Sequence, residues 1–361
     1  MADINLIQQQ HFVLSVPLIA DRILSFLPAK DLYRAAQVCQ SWAEIAKKIK
    51  RKRKESSCIF WKQDAEMPDE MIITSLTSYV KTHLNEVSTE PALSLNFVTT
   101  SADSTVNCIF DGCYPTVLPI QCKTAIISCD GVIGMQGNQC VEVEAEDLVA
   151  VSSFFLPKLP GVEMKFWVKK DDDSFKKFIS SLTKDQPIKA LVLLSTDFGI
   201  QTPATKGIDQ IMTEQNNHLA VAGAFAEDIL LPECSTLAIT FAGERVKAAS
   251  VVINSYVKKI DRLHCPLKRL KNYGLPEDRS FAFMFACVSR GVKHWKEKNV
   301  EIKEFRKMFP NTPLYGFYGQ GEIGSNTSSE ANESTCGSHQ ENTCHQFCHS
   351  YSTVILLVSI C

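Results

Sequence analysis

Cys287 closes an apolar run, FAFMFACV at 281–288, and Arg290 and His294 follow it. A cation beside a thiol favours the thiolate, the form that attacks electrophiles and oxidises. Cys287 is therefore the candidate reactive thiol; its alternative reading is a small buried hydrophobe. Turnover would also need a base and oxyanion donors, which the neighbouring sequence does not supply, so no catalytic residue is assigned. Gly319-Gln-Gly321-Glu322-Ile-Gly324 has the form G-x-G-x-x-G. A dinucleotide site needs a strand before such a loop, a helix after it and an acid further on. The following Ser-Asn-Thr-Ser-Ser-Glu does not open a packed helix, so that site is rejected. The glycines are read instead as a tight turn with positive φ, whose backbone comes close to a neighbour or a ligand.

Cys336, His339, Cys344, His345, Cys348 and His349 are of the types that hold zinc. Their ligands fall in adjacent positions and no apolar core surrounds them, so no metal is assigned. Asp171-Asp-Asp173 clusters acid at a helix start, where it complements the dipole; a calcium loop needs more oxygen ligands at loop spacing. No Walker loop, H-E-x-x-H or G-x-S-x-G occurs. No cofactor is expected.

The chain that must position these residues has 361 of them, 45% hydrophobic and 22% charged, with a net charge of −2. That is the composition of a globular protein with no global field for nucleic acid or anionic membranes. The 14 cysteines are irregularly spaced and no basic, apolar leader precedes them, so they are expected to be free thiols. Val354 to Cys361 is too short to span a bilayer and is read as a buried terminal strand.

Residues 16–54 carry three short helical patterns. Ile19, Ile23, Phe26 and Leu27 repeat at helical spacing up to Pro28; Leu32, Ala35, Ala36 and Cys39 form the second stripe; Trp42, Ile45, Ala46 and Ile49 form the third. Ser41 and Glu44 have capping-box spacing ahead of that third helix. A segment of roughly 40 residues rarely buries enough apolar surface to hold itself together. Some of this surface must face the rest of the chain or another protein. The run Lys47 to Lys54 ends the third helix, where cations suit the dipole; the same run suits a nuclear localisation signal, while nothing aromatic interleaves it for nucleic acid.

Downstream, a helix is expected from Asp69, and strands at 93–99, 124–129, 149–155, 162–168, 189–195, 219–225, 236–242, 248–254 and 281–288. Helical patterns at 174–182, 208–217, 266–273 and 301–309 fall between them. This mixture predicts an α+β or α/β body with a mixed sheet. Residues 101–121 read as loop and 326–342 as low complexity.

Pro17, Ile23-Leu24, Phe26-Leu27-Pro28, Asp31-Leu32, Val38-Cys39 and Trp42 together resemble the F-box. FMFACVSRG (283–291) and FRKMFPNTPLYGFYGQGEIG (305–324) resemble the C-terminal FIST domain of the F-box only protein twenty-two family. The resemblance implies a lead at 1–13, an F-box at 14–54, a shortened FIST N-terminal-like region at 55–185 and a FIST C-terminal-like region at 186–361, with its low-complexity tract at 325–345. It also implies a non-catalytic substrate receptor of a Skp–cullin–F-box ubiquitin ligase, in cytoplasm and nucleus, that sends a captured protein to the proteasome. Pro17, Ile23, Leu24, Leu27, Pro28, Leu32, Val38 and Trp42 would then meet a Skp-family adaptor, and through it cullin and a RING subunit. Gly316, Gly319, Gly321, Glu322, Gly324 and Arg290 would form a ligand or substrate loop. The alternative is a FIST-type small-molecule or redox sensor whose ligand state gates protein binding. Neither membrane nor nucleic acid is an expected partner.

Overall fold

Three helices come first: α1 (Pro17–Leu24), α2 (Ala29–Ala35) and α3 (Gln40–Lys52). The computed structural model describes residues 16–99, 114, 118–144, 148–170, 173–184, 186–215, 219–327 and 347–361. Cys336, His339 and Cys344 lie outside these, as do Asp171 and most of 101–121. Pro17 opens α1, where its missing N–H costs nothing. Pro28 does not end that helix, which stops at Leu24; it stands ahead of α2, whose first turn its carbonyl closes by accepting from Leu32 at 2.8 Å. The expected capping box does not form. The third helix starts one residue early, at Gln40, so Ser41 is already helical and no side chain caps the end. Ala20, Leu24, Leu32, Ala35, Ile45, Ala46 and Ile49 make a small interior of their own.

The body runs β1 (Ser57–Lys62), α4 (Asp69–Glu86), β2 (Pro91–Thr99), β3 (Lys123–Cys129), β4 (Gly131–Gln136), β5 (Gln139–Glu144) and β6 (Ala150–Pro157). Then come β7 (Glu163–Lys170), α5 (Phe175–Leu182), β8 (Ile188–Ser195), α6 (Gln201–Glu214), β9 (Ala220–Phe225), β10 (Asp228–Ile229) and β11 (Cys234–Ala242). The last stretch is β12 (Val246–Ile253), α7 (Ile260–Asn272), β13 (Ser280–Cys287), α8 (Val292–Trp295), α9 (Val300–Met308), β14 (Leu314–Gly319), β15 (Glu322–Gly324), β16 (Cys348–His349) and β17 (Thr353–Ile360).

These strands form three sheets built alike: β1-β6-β2-β3-β10, β7-β11-β8-β9-β15-β16 and β12-β17-β13-β14-β4-β5. From the first-written edge, every sheet pairs antiparallel, antiparallel, parallel, antiparallel. In each, the strand that follows the parallel pair leaves for another sheet. β4 joins the third sheet, β10 the first and β15 the second. The body is thus a cyclic three-fold repeat closed by strand exchange. The expected division at 185/186 falls inside the second repeat, between α5 and β8.

One face of each sheet looks inward, onto a shared core that includes Phe97, Phe154, Phe241, Phe283, Phe285 and Phe317. The outer faces are covered by helices: α4 on the first sheet, α5 and α6 on the second, α7 and α9 on the third. Burial on both faces explains why several strands read as unbroken apolar runs. The α+β reading with a mixed-sheet body agrees with this architecture. The hairpin β4–β5 and strand β1 were not anticipated, and α7 begins well before Pro266, which sits buried inside it. Among the described residues no helix is long and apolar enough to cross a membrane.

The helical module meets the body through polar contacts. Ala29 N donates to Val87 O at 2.9 Å, and Lys30 Nζ to Asn85 Oδ1 at 3.1 Å. Arg53 reaches three carbonyls: Ser88 O at 2.6 Å in the body, and Ser25 O at 3.0 Å and Leu27 O at 2.6 Å in the α1–α2 link.

Candidate functional site

Helix α1 is largely apolar, with Asp21 and Arg22 as its charged residues, and has more apolar side chains than one buried face takes up. Ala20 and Leu24 turn into the helical interior, while Leu18 (83% exposed), Ile19, Ile23 and Phe26 (74% exposed) face outward, with Val38 (65% exposed) beyond α2. This outer surface contains Pro17, Ile23 and Val38 of the expected docking residues; Leu27, Pro28 and Trp42 are half-buried at its border. Leu24 and Leu32, at 1% and 0% exposure, are not on it. They are a correction to the expected set, because the interior has already taken the same apolar character that marked them. Leu18, Ile19 and Phe26 face outward as well and were not in the expected set.

In the body, Arg290 does not face a ligand. It is 1% exposed and its Nε and Nη2 donate to Glu301 Oε1 at 2.7 and 2.6 Å. Trp295 Nε1 donates to the same oxygen at 3.1 Å and Thr353 Oγ1 to Oε2 at 2.6 Å. The pair ties α8 and α9 to β17 and the segment after β13.

Glu322, at the start of β15, is fully buried. Its Oε2 accepts from Ser352 N at 3.0 Å and Ser352 Oγ at 2.7 Å, while Oε1 has no hydrogen-bond partner among the described residues. Burial raises its carboxyl to about 7, and the Ser352 hydrogen bonds only partly oppose this. Cys287 lies beside it. Burial, and then the charge of Glu322, push that thiol up, the opposite of activation by Arg290, whose guanidinium is engaged by Glu301. The reactive-thiol expectation is corrected on this ground.

The glycines of the 316–324 stretch are places where strands come too close for a side chain. Gly316 has φ +149° and a Cβ there would stand 1.8 Å from Met284 O across the parallel pair. A Cβ on Gly319 would meet Phe225 O at 2.5 Å, where the third repeat crosses onto the second. Strand β15, not a helix, follows Gly321, in agreement with rejecting a dinucleotide site. Of the Cys/His tract, Cys348 and His349 are described, as β16; His349 Nε2 meets Gly324 O at 2.9 Å, while Cys348 Sγ faces Gln201 O and Thr205. No group of three metal-type side chains forms among the described residues.

Residues 19–51 match the F-box-like family and residues 183–325 the FIST C domain family. F-box only protein 22 of Homo sapiens is 26% identical over 97% of this chain and 94% of its own length; that of Pongo abelii is 25% identical over the same shares. Among solved structures, the crystal structure of cyanuic acid hydrolase from A. caulinodans aligns with 85% of this chain and 99% of its own at 7% identity and a TM-score of 0.38, too slight a likeness to carry an argument. The F-box-like match covers the three N-terminal helices and the FIST C match most of the second and third repeats, and the chain is similar to F-box only protein 22 along nearly its whole length.

Proposed function

We propose that this protein is the substrate-recognition subunit of a Skp–cullin–F-box ubiquitin ligase. The helical module docks on a Skp-family adaptor and, through it, on cullin and a RING subunit. The three-repeat body holds a protein substrate, which is ubiquitinated and then degraded by the proteasome, in cytoplasm and nucleus. The chain does no bond chemistry in this scheme; it raises the local concentration of substrate lysines near a charged conjugating enzyme.

The observation that carries the reading is the outward apolar surface of Leu18, Ile19, Ile23, Phe26 and Val38, on helices whose own interior is already filled. An exposed apolar surface of this kind marks a protein interface. The test is co-purification with a Skp-family adaptor and cullin. A Leu18→Asp, Phe26→Asp variant places charge on the surface, so it should keep its fold and lose the adaptor by about a hundred-fold or more. Unchanged adaptor binding in a folded variant would refute the docking surface. The sensor alternative gains no support, because Gly319, Cys287 and Arg290 are enclosed by protein groups.

A further inference from the structure

A groove of about 430 Å3 lies where α3 meets the turn between β6 and β7. Its floor has the small side chains Ala36, Ala43 and Ala46 and the ring of Tyr33; its walls carry Lys47, Lys50 and Arg51 from the helix, Arg53 and Lys54 from the residues just after it and Lys158 from the body, and no Asp or Glu lines it. Lys47 and Arg51 stand at i and i+4 on one stripe of the helix, and Lys54 follows its C-terminal end. Lys50 is paired with Glu90 at 3.0 Å and Arg53 is engaged by three carbonyls. Lys47, Arg51, Lys54 and Lys158 have no ion-pair or hydrogen-bond partner among the described residues. Two segments far apart in sequence therefore bring four uncompensated cations to the rim of a partly apolar cleft, in a chain of net charge −2. Helix-end cations alone do not explain this, since Lys158 belongs to another element.

We infer that this groove binds an acidic peptide segment of a protein partner, with carboxylates on the cationic rim and small apolar side chains on the alanine floor. The inference rests on the substrate-receptor reading and names the class of segment such a substrate offers. Charge complementarity sets the sign of the occupant. A peptide is favoured over nucleic acid because a single aromatic ring, Tyr33, lines the groove, with the Lys50 ammonium 5.5 Å from its centroid, so the groove offers no row of rings for successive bases to stack on. The groove also spans helix and body, so an occupant would be held against both the docking module and the substrate domain.

The experiment is fluorescence anisotropy on the full chain with a labelled twelve-residue peptide of Glu-Glu-Leu repeats, alongside a Lys-Lys-Leu peptide and a single-stranded oligonucleotide. The acidic peptide should bind, and should weaken about ten-fold or more in Lys47→Glu, Arg51→Glu, Lys158→Glu and when salt rises from about 0.05 to 0.3 M. The variant Lys47→Gln, Arg51→Gln, Lys158→Gln should lose affinity too, without charge reversal at the helix end. A matched variant on the second repeat, Lys176→Glu, Lys177→Glu, Lys206→Glu, should leave binding unchanged. Equal loss in the matched variant, tighter binding of the oligonucleotide, or no effect of the groove variants would overturn the assignment. Loss of the Skp-family adaptor by the groove variants would also overturn it, by making the groove part of the adaptor interface. If Leu18→Asp, Phe26→Asp leaves adaptor binding intact while the groove variants lose only the peptide, the docking surface fails and the groove stands.

Discussion

Gln320 Nε2 donates to Glu227 Oε2 at 2.5 Å, joining the crossover that leaves the third repeat to the crossover that leaves the second. Asp130, at the crossover of the first, is held beside them: burial and the Glu227 charge raise its carboxyl, and a hydrogen bond from Gln320 opposes that rise. The three crossovers therefore meet at one point. Because every sheet contains a strand supplied by another repeat, no repeat can leave without breaking two sheets. The body should unfold in one cooperative step, measured by coincident denaturant transitions at the Trp fluorescence and far-ultraviolet signals. Separate transitions for the three repeats would contradict strand exchange as the unit of stability.

The helical module should open below that global step, since its interior is separate and its ties to the body are polar. Arg53→Ala removes the guanidinium that links Ser25, Leu27 and Ser88 carbonyls and should cost roughly 2 kcal/mol locally. Native-state amide exchange at Ala29, whose N–H is bound to Val87 O, should quicken while exchange in β13 and β17 stays the same. No change at Ala29 would show that Arg53 does not tie the module down.

Arg290→Met leaves Glu301 buried without its cation and should cost about 3–5 kcal/mol in thermal or chemical unfolding. The double variant Arg290→Met, Glu301→Leu should recover a large part of that loss, because the stranded charge, more than the missing pair, is what destabilises. A double variant as unstable as the single one would contradict this account.

Glu322 makes stability fall with rising pH. Its folded value of about 7 lies above the ordinary 4.5, so between these two the folded state holds a proton that the unfolded state has released. The penalty builds from about pH 4.5, is complete above about pH 7, and amounts to about 3 kcal/mol. Glu322→Gln should therefore be the more stable protein at pH 8, with a smaller advantage at pH 5. Parallel stability profiles of the two across that window would refute the assignment.

Cys287 should alkylate slowly. Its thiol is 7% exposed and pushed up, whereas Cys39 is exposed ahead of α3. Mass spectrometry after brief iodoacetamide treatment at neutral pH should find Cys39 modified well before Cys287. Faster labelling of Cys287 would revive the sensor reading.

The three N-terminal helices, most strands and the α+β character were legible in the chain because apolar periodicity is a local property that survives any packing. The F-box signal was legible for the same reason: its residues are contiguous. Which of those residues face outward was not. Leu18 and Leu24 are alike as residues, and only the arrangement of α1 against α3 sends one to solvent and the other inside. The three-fold strand exchange was illegible because it joins β4 to β14, β10 to β3 and β15 to β9, pairings made by backbone hydrogen bonds that no side-chain pattern records. Arg290 and Cys287 looked functional from their neighbours along the chain. The tertiary structure gave Arg290 a buried carboxylate and Cys287 an apolar enclosure beside Glu322, since charge and access are set by what lies close in space. The cationic groove has the same origin: the basic run is plain in the sequence, but its facing lysine at 158 arrives only through the fold.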